Sequence, residues 1–228
     1  LRAEESFKGR NDYVTAADSM AEKMIRQIIL SSFPDDLILG EEYGGKSGHS
    51  QRWIVDPIDG TVDFMASFPC YTISIAYEDE EGLAFGAIAV PRQSEVFTAI
   101  RGEGAFLNGK PIHTDEREDV SESLALLVPP HRDHSRMDGY MARMRRFYDL
   151  FSDMRSVGSA ALSLCYVACG RCASYYELGL HIYDCAAGIV IVREAGGKVT
   201  LLSDDEASID IVATSSAVHG RVLGLLDD

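Results

Sequence analysis

The chain has 228 residues, 46% of them hydrophobic and 25% charged, which is enough to bury a sizeable core and excludes disorder over most of its length. Its 36 acidic residues outweigh 21 lysines and arginines, and the formal net charge of −15 argues against nucleic-acid and anionic-membrane partners. There is no apolar run of the roughly 18 residues that a membrane span needs. The five cysteines suggest no disulfide framework, so we expect a cytoplasmic protein.

The first half of the chain predicts one helix followed by short strands. The helix covers 15–32, and the apolar residues at helical spacing form one stripe: Met20, Met24, Ile25 and Ile28. The apolar runs 37–39 and 53–55 stop abruptly at acidic residues, which predicts buried strands. Several strands in succession across 71–111, with an Asn-Gly hairpin signal at 108–109, predict an antiparallel sheet.

The second half predicts alternating helices and strands. The segment 129–139 contains two prolines, two histidines and several charges, and we interpret it as a crossover between two lobes, 1–128 and 129–228. The later elements are helices at 140–151, 158–169 and 183–195, strands at 173–177, 199–202 and 209–213, and a short terminal helix. The pattern indicates a two-lobed α/β fold with layered helices and sheets.

Two of the predicted strands end at carboxylates. Asp56 and Asp59 follow one strand on a turn that ends at Gly60 and Thr61, and Glu41 follows the other. Carboxylates that meet in one place repel one another unless a proton or cation intervenes, and their oxygens suit Mg²⁺. Two such ions can clamp the attacking and leaving oxygens of an in-line displacement, and the N–H groups of the turn could hold an anion.

Each of these pieces alone has an ordinary structural explanation. Asp-Pro and Asp-Gly are common in turns, and Asp18 could simply cap its helix. A six-residue turn with two acids directly after a buried strand is more specific, and a second strand with the same ending makes it more specific still. The coincidence favours a metal-dependent phosphate site.

These motifs resemble those of the inositol monophosphatase family, the lithium-sensitive, Mg²⁺-dependent sugar phosphatases. Order and spacing agree from about Asn11 to the C-terminus. The matching segments are GEE at 40–42, WIVDPIDGT at 53–61, RSVGSAA at 155–161, YYELG at 175–179, YDCAAG at 183–188 and EAGG at 194–197. The resemblance implies layers in the order αβαβα, with an antiparallel N-terminal sheet and a smaller, mixed C-terminal sheet. It places most metal ligands in the first lobe, and the substrate residues and last metal ligand in the second.

The resemblance also implies a role for particular residues. Two to three Mg²⁺ ions would be held: the first by Glu41, Asp56 and the carbonyl of Ile58, the second by Asp56, Asp59 and Asp184, and a third, weaker one with help from Glu41. Asp18 and Thr61, with Glu41, would orient and activate a metal-bound water. The substrate would be bound by the phosphate-holding N–H groups of Gly60 and Thr61 and by Asp59, Gly158, Ser159, Ala160 and Glu177.

The function that the resemblance implies is Mg²⁺-dependent hydrolysis of a small sugar or polyol phosphate, with inositol 1-phosphate as the first substrate and a homodimer as the assembly. Alternative substrates are histidinol phosphate, fructose 1,6-bisphosphate and 3′-phosphoadenosine 5′-phosphate. A bisphosphate would favour an added cationic pocket, for which Arg132, Arg136 and Arg171 are candidates. The rival interpretation is a non-catalytic, metal-binding regulatory member of the same fold.

Two features depart from the family, one segment is expected to be mobile, and one motif is discounted. The family carries a further N-terminal helix, and Tyr183 stands where it has Trp. The glycine-rich stretch 44–50 is expected to form a mobile loop beside the site. The pair Cys169 and Cys172 falls at the end of a predicted helix, whereas a redox site needs a helix start, so a redox role is disfavoured.

Overall fold

The computed structural model describes residues 5–9, 12–45, 51–203 and 205–226, with side chains from 16 onward. Of the predicted loop at 44–50, residues 46–50 lie outside the described residues. The strands are β1 Glu5–Gly9, β2 Asp12–Thr15, β3 Leu37–Gly40, β4 Arg52–Asp59, β5 Thr72–Asp79, β6 Gly82–Val90, β7 Glu95–Ile100, β8 Gly104–Leu107, β9 Lys110–Ile112, β10 Leu124–Leu127, β11 Asp153–Arg155, β12 Ser174–Leu180, β13 Lys198–Leu201 and β14 Ile209–Thr214. The helices are α1 Ala16–Ser32, α2 Thr61–Met65, α3 Met137–Leu150, α4 Ala160–Ala168, α5 Ile182–Glu194 and α6 His219–Leu223.

Two sheets form the framework, and β1 and β2 pair separately as a hairpin. The seven-stranded sheet runs from β3 to β9 in sequence order and is antiparallel except for the parallel pair β3–β4. The five-stranded sheet has the order β11-β10-β12-β14-β13, in which β10 runs parallel to both neighbours and β14 antiparallel to both of its own. The predicted fold class, with a smaller mixed C-terminal sheet, is confirmed.

Three layers of helices alternate with the two sheets, which gives five layers. α1 packs on β4 at the outer face of the large sheet, where Ile29, Ile38 and Val55 form a small apolar cluster. α4 and α5 lie between the two sheets, and every residue of α5 from 184 to 192 is buried. α3 and α6 cover the far face of the smaller sheet around Phe147. This is the predicted αβαβα order, and no helix of the described chain is long and apolar enough to cross a bilayer.

The segment 129–139 does not connect the two sheets, contrary to the prediction. It joins β10 to α3, which both belong to the smaller sheet and its outer layer, and the connection between the sheets is the segment 113–123. β10 was not predicted, because four consecutive apolar residues without alternation are typical of a central strand buried on both faces but also of a buried helix turn. A boundary at 128/129 would leave β10 with the first lobe, and the two-lobe division stays a prediction.

Most of the predicted apolar stripe of α1 is on the exposed side of the helix. Of its four residues, Ile25 packs, partly buried, against the small apolar cluster, and the other three are each more than half exposed. The buried face carries Ile29 together with the carboxylates of Asp18 and Glu22. Spacing identifies which residues share a face, but the buried face is selected by what the helix must present to the site. Here the helix turns its carboxylates inward.

Candidate active site

A cavity of about 460 Å³ opens where the end of β4 meets the first turns of α4 and α5 and the ends of β10 and β12. The described residues that line it include most of the predicted site: Glu41, Asp56, Ile58, Asp59, Gly60, Thr61, Gly158, Ala160, Glu177 and Asp184, together with Val62, Asp63, Val128, Pro129, His131, Arg132 and Leu180. Segments far apart in sequence therefore meet at one place, as the resemblance implies.

The irregular end of β4 presents the central carboxylates. Its pairing with β5 shifts register between Asp56 and Asp59, and the N–H of Ile58 donates to Asp56 Oδ1 at 3.1 Å. Gly60 follows with φ +89°, in the left-handed region that glycine tolerates, and a Cβ there would lie 2.8 Å from the carbonyl oxygen of Cys70. Only glycine fits this turn, which then opens α2 at Thr61.

Glu41 is held in place from α1. The buried Glu22 accepts hydrogen bonds from the N–H of Glu42 at 2.6 Å and from Arg26 Nε at 2.7 Å. A Cβ on Gly40 would lie 1.8 Å from Glu22 Oε1, so the strand end approaches the helix closely. The glycine and the inward-facing carboxylate of α1 together shape the turn that carries Glu41.

Asp56 lies at the centre of the negative charge. It is 1% exposed, and burial, followed by the charges of Glu41, Asp59 and Asp184, raises its pKa well above the usual range. The nearby Glu41 favours the protonated form of Asp56 in the same direction. Carboxyl groups grouped in this way retain protons that a cation could displace.

Asp59 is fixed by the start of α4. Its carboxylate accepts hydrogen bonds from the Ser159 hydroxyl, from the N–H groups of Ala160 at 3.3 Å and Ala161 at 2.8 Å, and from the hydroxyl of Thr72 at 3.2 Å. Burial and the charge of Asp184 nevertheless raise its pKa to about 6. Ser159 was predicted to bind substrate, but it is buried and does not line the cavity, because its oxygen bonds Asp59 and caps α4.

Asp184 and Glu177 form the opposite wall. Asp184 lies in the first turn of α5, where its Oδ2 accepts from the N–H of His181 at 2.7 Å and from Arg132 Nη1 at 3.3 Å. Glu177 is buried on β12 and accepts a hydrogen bond from the hydroxyl of Tyr175. Burial outweighs that bond and raises the pKa of Glu177 to about 8.

Thr61 connects the turn after β4 to Asp18. Its hydroxyl has two acceptors within reach, Asp18 Oδ1 at 3.3 Å and the carbonyl oxygen of Ile58 at 3.1 Å. Asp18 is 1% exposed and lies on the inward face of α1. Its hydrogen bond with Thr61 is the contact that the sequence predicted. A threonine that donates to Asp18 keeps a lone pair with which to accept a hydrogen bond from water.

The donor set suits a hard divalent cation. Carboxylates and the Ile58 carbonyl present oxygen atoms without sulfur, the ligand chemistry of Mg²⁺. In the described ranges, no three His, Cys, Asp or Glu side chains are already arranged to hold a metal ion. Mg²⁺ needs no such cage, because it keeps several waters and takes further oxygens from a substrate phosphate. The grouping of Asp56 with three further carboxylates and the Ile58 residue around one cavity is the observation that fits a cation here.

Three titratable residues of the lining were not among the predicted site residues, although Arg132 was a candidate for a cationic pocket. Asp63, in the first turn of α2, has a buried Oδ2 atom with no hydrogen-bond partner, and a Cβ on Gly158 would lie 2.7 Å from it. His131 and Arg132 follow β10, and His131 Nδ1 lies 3.9 Å from Glu177 Oε1. His131 and Arg132 could have been placed at the site by the signal that was used for Asp56, which is a short apolar run that stops at charged residues.

The comparisons with known proteins agree with this architecture. The model of the inositol monophosphatase family matches residues 1–227. A Haemophilus influenzae protein named Nus factor SuhB is 41% identical over 86% of this chain and 74% of its own length. An inositol-1-monophosphatase of Mesorhizobium japonicum is 36% identical over 95% of this chain and 81% of its own. The crystal structure of the extragenic suppressor protein SuhB from Bartonella henselae has a TM-score of 0.91 at 34% identity, over 99% of this chain and 89% of that one.

The family match extends over nearly every residue, and the related crystal structure covers 99% of this chain. Members of the family are Mg²⁺-dependent phosphatases that act on small phosphorylated compounds. On the strength of its sequence and its fold, this chain belongs to the inositol monophosphatase family.

Proposed function

We propose that the protein is a Mg²⁺-dependent phosphomonoesterase of the cytoplasm that hydrolyses a small sugar or polyol phosphate, with inositol 1-phosphate as its first substrate. The observation that carries the proposal is the convergence of Glu41, Asp56, Asp59 and Asp184 with Gly60 and Thr61 around one cavity. A relative named inositol-1-monophosphatase supports the choice of substrate.

The chain's own residues would divide the work along the cavity. Glu41, Asp56, Asp59, Asp184 and the Ile58 carbonyl would hold two to three Mg²⁺ ions. Bound there, Mg²⁺ lowers the pKa of water and offsets the charge of the phosphoryl group. The N–H groups of Gly60 and Thr61 would bind phosphate oxygens at the turn.

Thr61 and Asp18 would orient the attacking water. The Thr61 hydroxyl donates to Asp18 and accepts from the water, which fixes a lone pair of the water toward phosphorus. Gly158 and Ala160 would line the space for the sugar, and Glu177 would bond its hydroxyls. Ser159 would act through Asp59, which it holds in position.

Phosphate release tests the proposal directly. Inositol 1-phosphate, histidinol phosphate, fructose 1,6-bisphosphate and 3′-phosphoadenosine 5′-phosphate are each incubated with Mg²⁺ or with EDTA. We expect phosphate release with Mg²⁺ and none with EDTA. Asp56→Asn should lower the turnover rate by at least about a hundredfold, because a ligand shared by both ions loses its charge. Turnover that persists in EDTA would contradict the metal-dependent mechanism.

A relative named a Nus factor provides the rival proposal, a metal-binding regulatory protein without catalysis. The predicted ligands Glu41, Asp56, Asp59 and Asp184 and the Asp18–Thr61 pair are all present in this chain, which favours catalysis. If Mg²⁺ raises the melting temperature while no ester is hydrolysed, the regulatory proposal replaces the enzymatic one. A homodimer is proposed for either function and is tested by light scattering.

A further inference from the structure

Strand β12 carries two tyrosines whose side chains face opposite sides of the smaller sheet. Tyr175 is fully buried and packs in the core between the two sheets, whereas Tyr176 packs on the far face around Phe147. Because side chains alternate along a strand, Glu177 lies on the same face as Tyr175. The strand therefore places a buried phenol beside the carboxyl group that lines the cavity.

The two carboxyl oxygens of Glu177 have different neighbours. Oε2 accepts a hydrogen bond from the Tyr175 hydroxyl, and both residues are no more than 3% exposed. Oε1 lies 3.9 Å from Nδ1 of His131, which also lines the cavity. Tyr175 thus occupies the oxygen on the core side and leaves the other oxygen toward the cavity.

The hydrogen bond from Tyr175 to Glu177 does not depend on the charge of the acid. Burial and the neighbouring charge of Glu177 raise the pKa of Tyr175 well above its usual value, so the hydroxyl keeps its proton. Oε2 can accept from it whether the carboxyl group is charged or protonated. Rotation of that carboxyl group would leave a fully buried hydroxyl without this acceptor, and buried polar groups are almost always hydrogen-bonded.

The backbone at the end of β12 is fixed as well. Its pairing with β14 shifts register between Glu177 and Leu180. Within this irregularity Gly179 has φ +75°, and its N–H donates to Asp210 Oδ1 at 3.0 Å. Register shifts of this kind redirect side chains and are common beside active sites. Glu177 is therefore held by the strand at its backbone and by Tyr175 at its carboxyl group.

We propose that Tyr175 is a positioning residue that makes hydrolysis selective for phosphate esters whose leaving group carries hydroxyl groups. Tyr175 contacts no substrate itself, but it holds Glu177 so that Oε1 meets a hydroxyl group of the sugar or polyol. A group that is already fixed loses little side-chain entropy when the substrate binds. A substrate without hydroxyl groups would leave the same buried carboxyl group unpaired. The inference rests on the proposed function and on its assignment of Glu177 to the sugar.

The test compares two esters of the same six-membered carbon ring, one with hydroxyl groups and one without. The ratio of kcat/KM for inositol 1-phosphate to that for cyclohexyl phosphate is measured in the wild type, Tyr175→Phe and Tyr176→Phe. We expect the wild type to prefer inositol 1-phosphate, and the ratio to fall about tenfold in Tyr175→Phe, chiefly through a higher KM for inositol 1-phosphate. The Tyr176 hydroxyl accepts a hydrogen bond from Arg143 on the opposite face of the sheet, so Tyr176→Phe should leave the ratio unchanged.

A second background shows whether Tyr175 acts through Glu177. Glu177→Ala should lower the same ratio, and adding Tyr175→Phe to it should lower the ratio no further, because residues that act as one unit have non-additive effects. A further fall in the double variant, or an equal fall of kcat/KM for both esters in Tyr175→Phe, would mean that the tyrosine only supports the fold, and would overturn the inference. An unchanged ratio in Tyr175→Phe, or a wild type without preference, would overturn it as well. A wild type that hydrolyses neither ester, nor any other of the panel above, would instead overturn the proposed function.

Discussion

At the scale of single residues, Asp63 is the side chain in the site whose surroundings fit it least. One of its carboxylate oxygens is buried without a partner, and burial raises its pKa. An unsatisfied buried oxygen costs roughly 1–3 kcal/mol, and the cost is greater when it is charged. The residue therefore lowers the stability of the fold that it helps to build.

Asp63→Asn should consequently raise the melting temperature, by about 2–4 °C for roughly 1 kcal/mol in a chain of this size. An acid whose folded pKa is raised contributes stability at low pH and loses it as pH rises, whereas Asn does not titrate. The gain should therefore be larger at about pH 8 than at about pH 5. Thermal unfolding in EDTA measures it, and Asp149→Asn, at an exposed carboxylate, is the control. A gain that shrinks with pH would refute this account.

At the scale of elements, α1 serves the site through its buried carboxylates. Glu22 binds the turn after β3, and Arg26 Nη2 donates to the carbonyl oxygen of Gly44 in the same turn at 2.5 Å. The position of Glu41 thus depends on a helix that contributes no metal ligand of its own. This dependence can be tested apart from catalysis.

Glu22→Ala should destabilise the protein by about 3 kcal/mol, because it leaves Arg26 and the Glu42 N–H without their buried acceptor. Hydrogen exchange at residues 41–44 should accelerate more than in α5, since the turn loses its anchor. Denaturant unfolding and exchange mass spectrometry measure the two effects. Glu22→Gln keeps an acceptor oxygen and should retain part of the stability. Uniform acceleration of exchange across the chain would show that Glu22 stabilises the fold as a whole and does not specifically anchor the turn that carries Glu41.

The elements also show what the sequence could predict. Strands β3 and β4 and their carboxylates were predicted because an apolar run followed by acids is a local signal. The helix α1 and its apolar stripe were predicted, but the exposure of the stripe was not, because spacing carries no information about which face a neighbour covers. The hydrogen bond from Ser159 to Asp59 was not predicted, because the two residues are 100 positions apart in sequence. Side-chain direction at such a junction depends on tertiary packing.

At the scale of the whole molecule, carboxyl groups with raised pKa values tie stability to pH and to Mg²⁺. Burial raises the pKa of Asp59 to about 6 and that of Glu177 to about 8, and raises that of Asp56 well above its usual range. The folded state therefore binds more protons than the unfolded state at neutral pH. The stability that these three groups contribute is fully present below their unfolded pKa values and is lost as pH rises through the folded ones.

In EDTA, the melting temperature should fall between about pH 5 and pH 8, while Mg²⁺ should raise it more at the upper pH, where fewer protons compete for the carboxylates. Scanning fluorimetry across this range, with and without Mg²⁺, checks both trends. Glu177→Gln should flatten the upper part of the EDTA curve, because it removes the group with a pKa of about 8. A Mg²⁺ effect that is larger at about pH 5 would contradict the proton competition.

The middle layer of the molecule determines when the site can form. Asp59 is held by the N–H of Ala161, 102 residues later in the chain, and Asp184 comes later still. During synthesis from the N-terminus, the β4 turn leaves the ribosome before the helices that restrain its carboxylates exist. A nascent or truncated chain would therefore lack the full ligand set for the second Mg²⁺ ion, which includes Asp184. Uptake of that ion would then report that translation and folding are both complete.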